Sequence, residues 1–134
     1  MTETYSADRE KNRALEILVV DDEPLIRWAL RRGLDDRGHK VSEAADAAGA
    51  LQQLTEAPDR FSAILLDYRL PDRQDLSLLI DVRRLSPRAH VFMMTAFADA
   101  GMRAQALAGG ASAVIDKPFQ VRDVIAMIES AGAP

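Results

Sequence analysis

Ala63-Ile64-Leu65-Leu66-Asp67-Tyr68-Arg69-Leu70-Pro71 carries four apolar residues into a carboxylate and then into a loop containing proline. A short apolar run bounded in this way suits a strand buried on both faces, as in a parallel sheet. A second run, Ile17-Leu18-Val19-Val20, ends in Asp21-Asp22. Two strands that stop on acid bring three carboxylates to one sheet edge. There they repel one another unless a cation lies among them. The pattern therefore predicts a bound cation and an aspartate with chemistry to perform.

Working outward, strands are expected over Ile17–Asp21, His39–Glu43, Phe61–Asp67, His90–Thr95 and Ser112–Ile115. Pro24 suits the first turn of a helix whose inner face is Ile26, Ala29, Leu30, Gly33 and Leu34, with Gly38 at its end. Trp28 is expected to pack at the flank of that stripe. Further helices are expected over Ala45–Glu56 with Leu51 and Leu54 inward, around Leu76, Leu79 and Ile80 before Pro87, and over Ala98–Ala108. Val121, Val124, Ile125 and Ile128 mark a closing helix. Strict alternation of strand and helix means parallel pairing, right-handed crossovers and a doubly wound α/β sandwich.

The 134 residues suit one domain, with 48% hydrophobic and 28% charged residues. Residues 1–14 lack apolar periodicity and are expected to form a mobile lead-in. Residues 15–131 form the domain, and 132–134 a short tail. The net charge of −4 argues against a general nucleic-acid surface, and the lack of cysteine removes disulfides and thiolate metal sites. No apolar run approaches a membrane span, and Met1 to Glu16 has no signal-peptide core, so a cytoplasmic protein without membrane contact is expected.

Ligands of doubly wound sheets bind beyond the carboxyl ends of the strands. Asp21-Asp22, Asp67, Thr95 and Lys117 all fall there, delivering acids, a hydroxyl and an ammonium from four segments. Each has a plainer reading: Asp21-Asp22 could cap the helix at Pro24, and Thr95 could be an ordinary strand residue. His39 and His90 lack partners spaced for a metal and read as structural or exposed. Arg27, Arg31 and Arg32 read as a solvated helix face, and Met93 and Met94 as core.

In order and spacing, VVDDEP, LLDYRLP, MMTA and DKPF resemble the receiver domain of bacterial two-component response regulators. DDEPLIRWAL and DYRLPD are most similar to receivers of the nitrogen-regulation type. The resemblance covers about Leu15 to Ala131. It implies a flavodoxin-like sheet of five strands in the order 2-1-3-4-5 with five helices. It also implies phosphoryl transfer to Asp67 from the phosphohistidine of a sensor histidine kinase or phosphotransfer protein, giving a 4-aspartylphosphate. Asp22, Asp67 and the Arg69 backbone carbonyl would bind Mg²⁺ directly, and Asp21 through water. Lys117 and Thr95 would contact phosphoryl oxygens. The Lys117-Pro118 bond is often cis in the family.

Three positions depart from the pattern. Val114 stands where receivers usually carry a switching Tyr or Phe, which places the coupling of Thr95 to the outer face in question. Asp75 replaces a common glycine; it either takes a left-handed backbone or caps the next helix. Phe97, two residues after Thr95, is expected to flank the acyl phosphate with Arg69 and to lengthen its lifetime.

The resemblance implies an output surface over about residues 98–130 and permits a phosphorylation-dependent homodimer. If these residues are the whole product, output is by contact with a downstream protein. A segment of a longer regulator with ATPase and DNA-binding modules is the alternative. Two other classes compete: a degenerate receiver binding partners without phosphate, and a small Mg²⁺-dependent aspartyl-phosphate phosphatase. The last commonly has an acid two residues after its nucleophile, where this chain has Arg69.

Overall fold

The computed structural model describes residues 14–132, so the expectations for 1–13 and for Ala133 and Pro134 lie outside the described residues. Five strands, β1 (Glu16–Val20), β2 (Lys40–Ala44), β3 (Ala63–Asp67), β4 (His90–Thr95) and β5 (Ala113–Asp116), pair in parallel in the order β2-β1-β3-β4-β5. The intervening helices are α1 (Pro24–Asp36), α2 (Ala47–Glu56), α3 (Ser77–Leu85), α4 (Ala100–Ala108) and α5 (Val121–Gly132). The doubly wound architecture expected from the alternation is therefore present, with boundaries shifted by one or two residues.

The apolar runs of β1 and β3 are continuous because helices cover both faces of the sheet. Leu18, Val20, Ile64, Leu66, Val91 and Met93 point toward α2, α3 and α4. Ile17, Val19, Leu65, Phe92, Met94 and Ile115 point toward α1 and α5. Met93 and Met94 thus occupy opposite cores, as successive residues of a strand must.

The helices start where the sequence supplies oxygen acceptors for free amides. Asp46 accepts from Gly49 N–H (2.7 Å) at α2, and Asp99 from Met102 N–H (2.7 Å) at α4. Asp75 takes the capping alternative: its carboxylate accepts the Ser77 N–H (2.9 Å), and no non-glycine residue among those described has a positive φ.

Some expectations on helix faces are corrected. Trp28 is 57% exposed, with the Arg32 guanidinium 5.9 Å from its ring centroid, because Leu30 and Leu34 fill the inner stripe. Ile80 is also 57% exposed; Leu78, Leu79 and Val82 form the buried face of α3. Leu51 is only half-buried. Arg27 and Arg31 do not form a free solvated face, since both pair with Glu43 on β2, at 3.1 and 2.7 Å.

His90 is exposed, whereas His39 is buried and ties three elements together. Its Nδ1 accepts the Leu15 N–H (3.0 Å), which places the ring proton on Nε2, 2.8 Å from Glu129 on α5. Arg37 grips the same carboxylate through Nε and Nη2 at 3.0 and 2.8 Å. Side-chain hydrogen bonding from Arg37, against a desolvation cost, holds the Glu129 carboxyl below its usual range.

The N-terminal half of α5 meets α1 at Gly33. A methyl group there would lie 2.8 Å from both Val121 Cγ1 and Ile125 Cδ1. Overpacking of such a contact costs about 1–3 kcal/mol. Gly33→Leu should therefore lower the urea midpoint by a corresponding amount at an unchanged m-value. An unaltered midpoint would show that Val121 and Ile125 give way at a cost no larger than the helix propensity gained on replacing glycine.

Candidate functional site

The carboxyl ends of β1, β3, β4 and β5 deliver Asp21, Asp67, Thr95 and Lys117 to one rim of the sheet. Asp67 is the last residue of β3 and Thr95 the last of β4, and both are buried. Asp22 and Lys117 stand just beyond their strands. A cavity of about 250 Å³ opens there, lined by Asp22, Glu23, Asp67, Arg69, Thr95, Ala96 and Lys117. All the residues singled out from the motifs at the strand ends meet at this place.

Lys117 joins the carboxylates. Its Nζ donates to Asp21 Oδ2 at 2.8 Å and to Asp67 Oδ1 at 3.2 Å. The Lys117–Pro118 peptide is cis. Asp21 is fully buried and otherwise occupied, its Oδ1 accepting Glu23 N–H at 2.9 Å while Arg27 Nη1 donates to its backbone carbonyl at 2.7 Å. It therefore both faces Lys117 and bonds the Glu23 N–H just before α1. One carboxylate oxygen from each of Asp21, Asp22 and Asp67 lies within 4.8 Å of the others. Such a set of hard oxygen donors suits Mg²⁺, which keeps several waters and needs few protein ligands. Asp22 is the exposed member, whereas Asp21 is already engaged by Lys117.

Burial raises the Asp67 pKa to about 6, reinforced by the neighbouring Asp21 charge. Lys117, by charge and hydrogen bond, and then the Arg69 backbone N–H pull in the opposite direction without cancelling the effect. Lys117 shows the complement: although burial opposes it, bonding to Asp21 and then the charges of both aspartates raise its pKa. The ammonium is thus firmly held, and the carboxylates need more positive charge than it provides.

Around this centre, Arg69 lies with its guanidinium carbon 5.2 Å from the Phe97 ring centroid, and Phe97 is 72% exposed. Thr95 Oγ1 accepts the Phe97 N–H (3.1 Å), so the hydroxyl and the ring belong to one turn. Val114 is half-buried against the core beneath α2–α4. Glu23, the third acid of the DDE run, has no role in the motif reading, yet its Oε1 lies 3.5 Å from Lys117 Nζ. Its proximity to Asp21-Asp22 was the only signal in the sequence.

Residues 17–129 match the family described as response regulator receiver domain. The transcriptional regulatory protein KdpE of Mycobacterium tuberculosis is 36% identical over 115 residues, covering 86% of this chain and 50% of the relative. The DNA-binding transcriptional regulator NtrC of Escherichia coli is 33% identical over 116 residues, covering 86% of this chain and 24% of the relative. The latter matches the nitrogen-regulation likeness of DDEPLIRWAL and DYRLPD. The chain spans half the length of the first of these relatives and about a quarter of the second. A response regulator from Burkholderia pseudomallei, solved with a phosphorylated aspartic acid, calcium ion and citrate, superposes with a TM-score of 0.78 at 30% identity, covering 88% of this chain and 68% of that one.

The raised pKa of Asp67 has a consequence for stability without divalent cations. Between the ordinary carboxylate pKa near 3.8 and about 6, the folded chain holds more protons at this position than the unfolded chain. Stability contributed here therefore falls as pH rises through that window. Asp67→Asn removes the charge, so in EDTA it should be more stable than the wild type at pH 7.5, and indistinguishable from it below about pH 4. Urea midpoints at the two pH values test this; a wild type that is the more stable at pH 7.5 would contradict it.

Proposed function

Because this chain belongs to the response regulator receiver domain family of two-component systems, we propose that Asp67 is its phosphoacceptor and that the charge state of Asp67 sets a protein-interaction surface. The observation that carries this reading is the single ammonium of Lys117 bridging two buried aspartates, with Asp22 and Thr95 in the same cavity. Receiver domains are signalling domains, and the chemistry proposed here is limited to the chain's own phosphorylation and dephosphorylation. The unit that undergoes it is taken as residues 15–131.

Asp67 attacks phosphorus through a carboxylate oxygen as the bond from phosphorus to the donor's histidine nitrogen breaks. The barrier is mainly electrostatic, since two anions must meet, and positioned cations are what phosphoryl transfer requires. Mg²⁺, held by Asp22, Asp67 and the Arg69 carbonyl with Asp21 reaching it through water, would supply that charge when bound. Lys117 is placed to exchange its contact with Asp67 for a phosphoryl oxygen while keeping Asp21. Thr95 can turn its hydroxyl toward another oxygen and release the Phe97 N–H as it does so.

The donor is a sensor histidine kinase or phosphotransfer protein. In support, an apolar recess of about 420 Å³ lined by Leu25, Ile26, Ala29, Pro118, Phe119 and Val121 opens beside Lys117. Leu25 is 73% exposed, so a partner seated there would gain apolar burial next to the phosphoacceptor. The downstream surface is taken as residues 98–130. There α4 buries only Ala106, and Leu107 is half exposed. A helix with so little buried apolar surface can respond to a pre-existing equilibrium that phosphorylation shifts. Among the described residues no helix is long and apolar enough to cross a membrane.

Acetyl phosphate or beryllofluoride with Mg²⁺ should modify the wild type and not Asp67→Asn, with NMR shifts spreading from Asp67 into residues 98–130. The absence of an Asp67-dependent response would sink the proposal. Modification confined to the site would show that Val114 has uncoupled the surface. Loss of the exposed Arg69–Phe97 contact, a type worth about 0.5–1 kcal/mol, should speed hydrolysis of the acyl phosphate in Phe97→Ala by about two- to fivefold. An unchanged rate would remove Phe97 from lifetime control.

A further inference from the structure

Asp72 lies outside the cavity, on the loop that follows β3, and its carboxylate is committed to a different element. Oδ1 accepts the Ala47 N–H at 2.8 Å and Oδ2 the Ala48 N–H at 2.9 Å, so both oxygens serve the first turn of α2. That helix already has a local cap in Asp46, whose Oδ1 takes the Gly49 N–H. The second carboxylate arrives from 25 positions away in sequence. It therefore fastens a loop to a helix that has other means to begin. Against a desolvation cost, the Ala47 and Ala48 amides hold the Asp72 carboxyl below its usual range.

The loop so fastened is closed by its own hydrogen bonds. Leu70 and Arg73 exchange backbone hydrogen bonds of 2.9 and 3.3 Å, and the Leu70 side chain is buried in the core. Arg73 reaches Asp81 on α3 at 3.0 Å. Arg69 immediately precedes this closed turn and lines the same cavity as Asp67. Whatever fixes the turn also fixes the Arg69 peptide beside the phosphoacceptor.

We infer that Asp72 is a positioning residue: by pinning the 70–73 turn to the start of α2, it holds the Arg69 peptide, with the carbonyl proposed as a cation ligand, in place against Asp67. The inference rests on the proposed Mg²⁺ site. Groups that orient a metal's ligands typically contribute 10- to 100-fold to affinity, and a tie acting through the backbone belongs at the lower end. α2 would then serve as an abutment for the site without supplying any atom to it.

The test compares Asp72→Ala, Asp72→Asn and Asp46→Ala in the full chain. Mg²⁺ is titrated against the amide signals of Tyr68 and Arg69, and urea stability is measured in parallel. Asp72→Ala should weaken Mg²⁺ binding about tenfold. Asp72→Asn, which keeps one acceptor oxygen, should recover part of that loss, and it carries the comparison if the alanine variant does not fold. Asp46→Ala removes a cap from the same helix and should lower stability while leaving Mg²⁺ affinity within about twofold of the wild type. Wild-type affinity in both Asp72 variants, or equal weakening by Asp46→Ala, would overturn the positioning role. A wild-type chain that does not bind Mg²⁺ would overturn the site reading, and this inference with it.

Discussion

The ammonium of Lys117 between Asp21 and Asp67 is the contact on which the rest of the site depends. Asp21 is fully inaccessible and Asp67 only 6% exposed, so two carboxylates are held out of water side by side. Removing Lys117 would leave both buried carboxylates without a counter-charge, the case that costs about 3–5 kcal/mol. The lysine comes from just beyond β5 and the aspartates from β1 and β3, so the pairing also reports that the sheet has assembled in its proper order. Yet one ammonium does not balance the acids. Burial, and then the neighbouring Asp21 charge, raise the Asp67 pKa, and the uncompensated acid suits a divalent cation.

The same deficit links fold to function. Strand ends in a parallel sheet cannot satisfy clustered like charges locally, so the loops beyond them must bring complementary groups. Here the loop after β5 brings Lys117, the loop after β3 brings the Arg69 N–H, and the loop after β4 brings Thr95 and Phe97 into one turn. A change of charge at Asp67 is felt first by these loops. Each runs directly into a helix, so the electrostatic event has short routes to the surface.

Much of this was legible in the sequence because burial and charge act there in the plainest way. Apolar runs ending in Asp21 and Asp67 specify strands covered on both faces and terminating at a polar rim, and the DKPF segment brings Lys117 to the same rim. What escaped was set by competition between residues on a helix. Trp28 and Ile80 are as apolar as their buried neighbours, but Leu30 and Leu34 on α1, and Leu79 and Val82 on α3, fill the inward direction first. His39 gave no spacing signal because its partners, Leu15 and Glu129, come from the two ends of the described chain. Asp72 was hidden for a similar reason, since an aspartate after proline reads as turn chemistry until the free amides of α2 are seen opposite it.

The two sides of the sheet differ in how their helices are mounted. α5 is seated against α1 at Gly33 near one end and clamped through Glu129 by Arg37 and His39 near the other. On the opposite face, α4 buries Ala106 and is tied to β5 through Arg103, which donates to Asp116 at 2.8 Å and to the Val114 carbonyl at 3.3 Å. The α1–α5 contact interlocks apolar side chains, whereas α4 is held in good part by the polar contacts of Arg103. The two faces thus differ in the kind of attachment, an apolar interlock on one and a polar tether on the other.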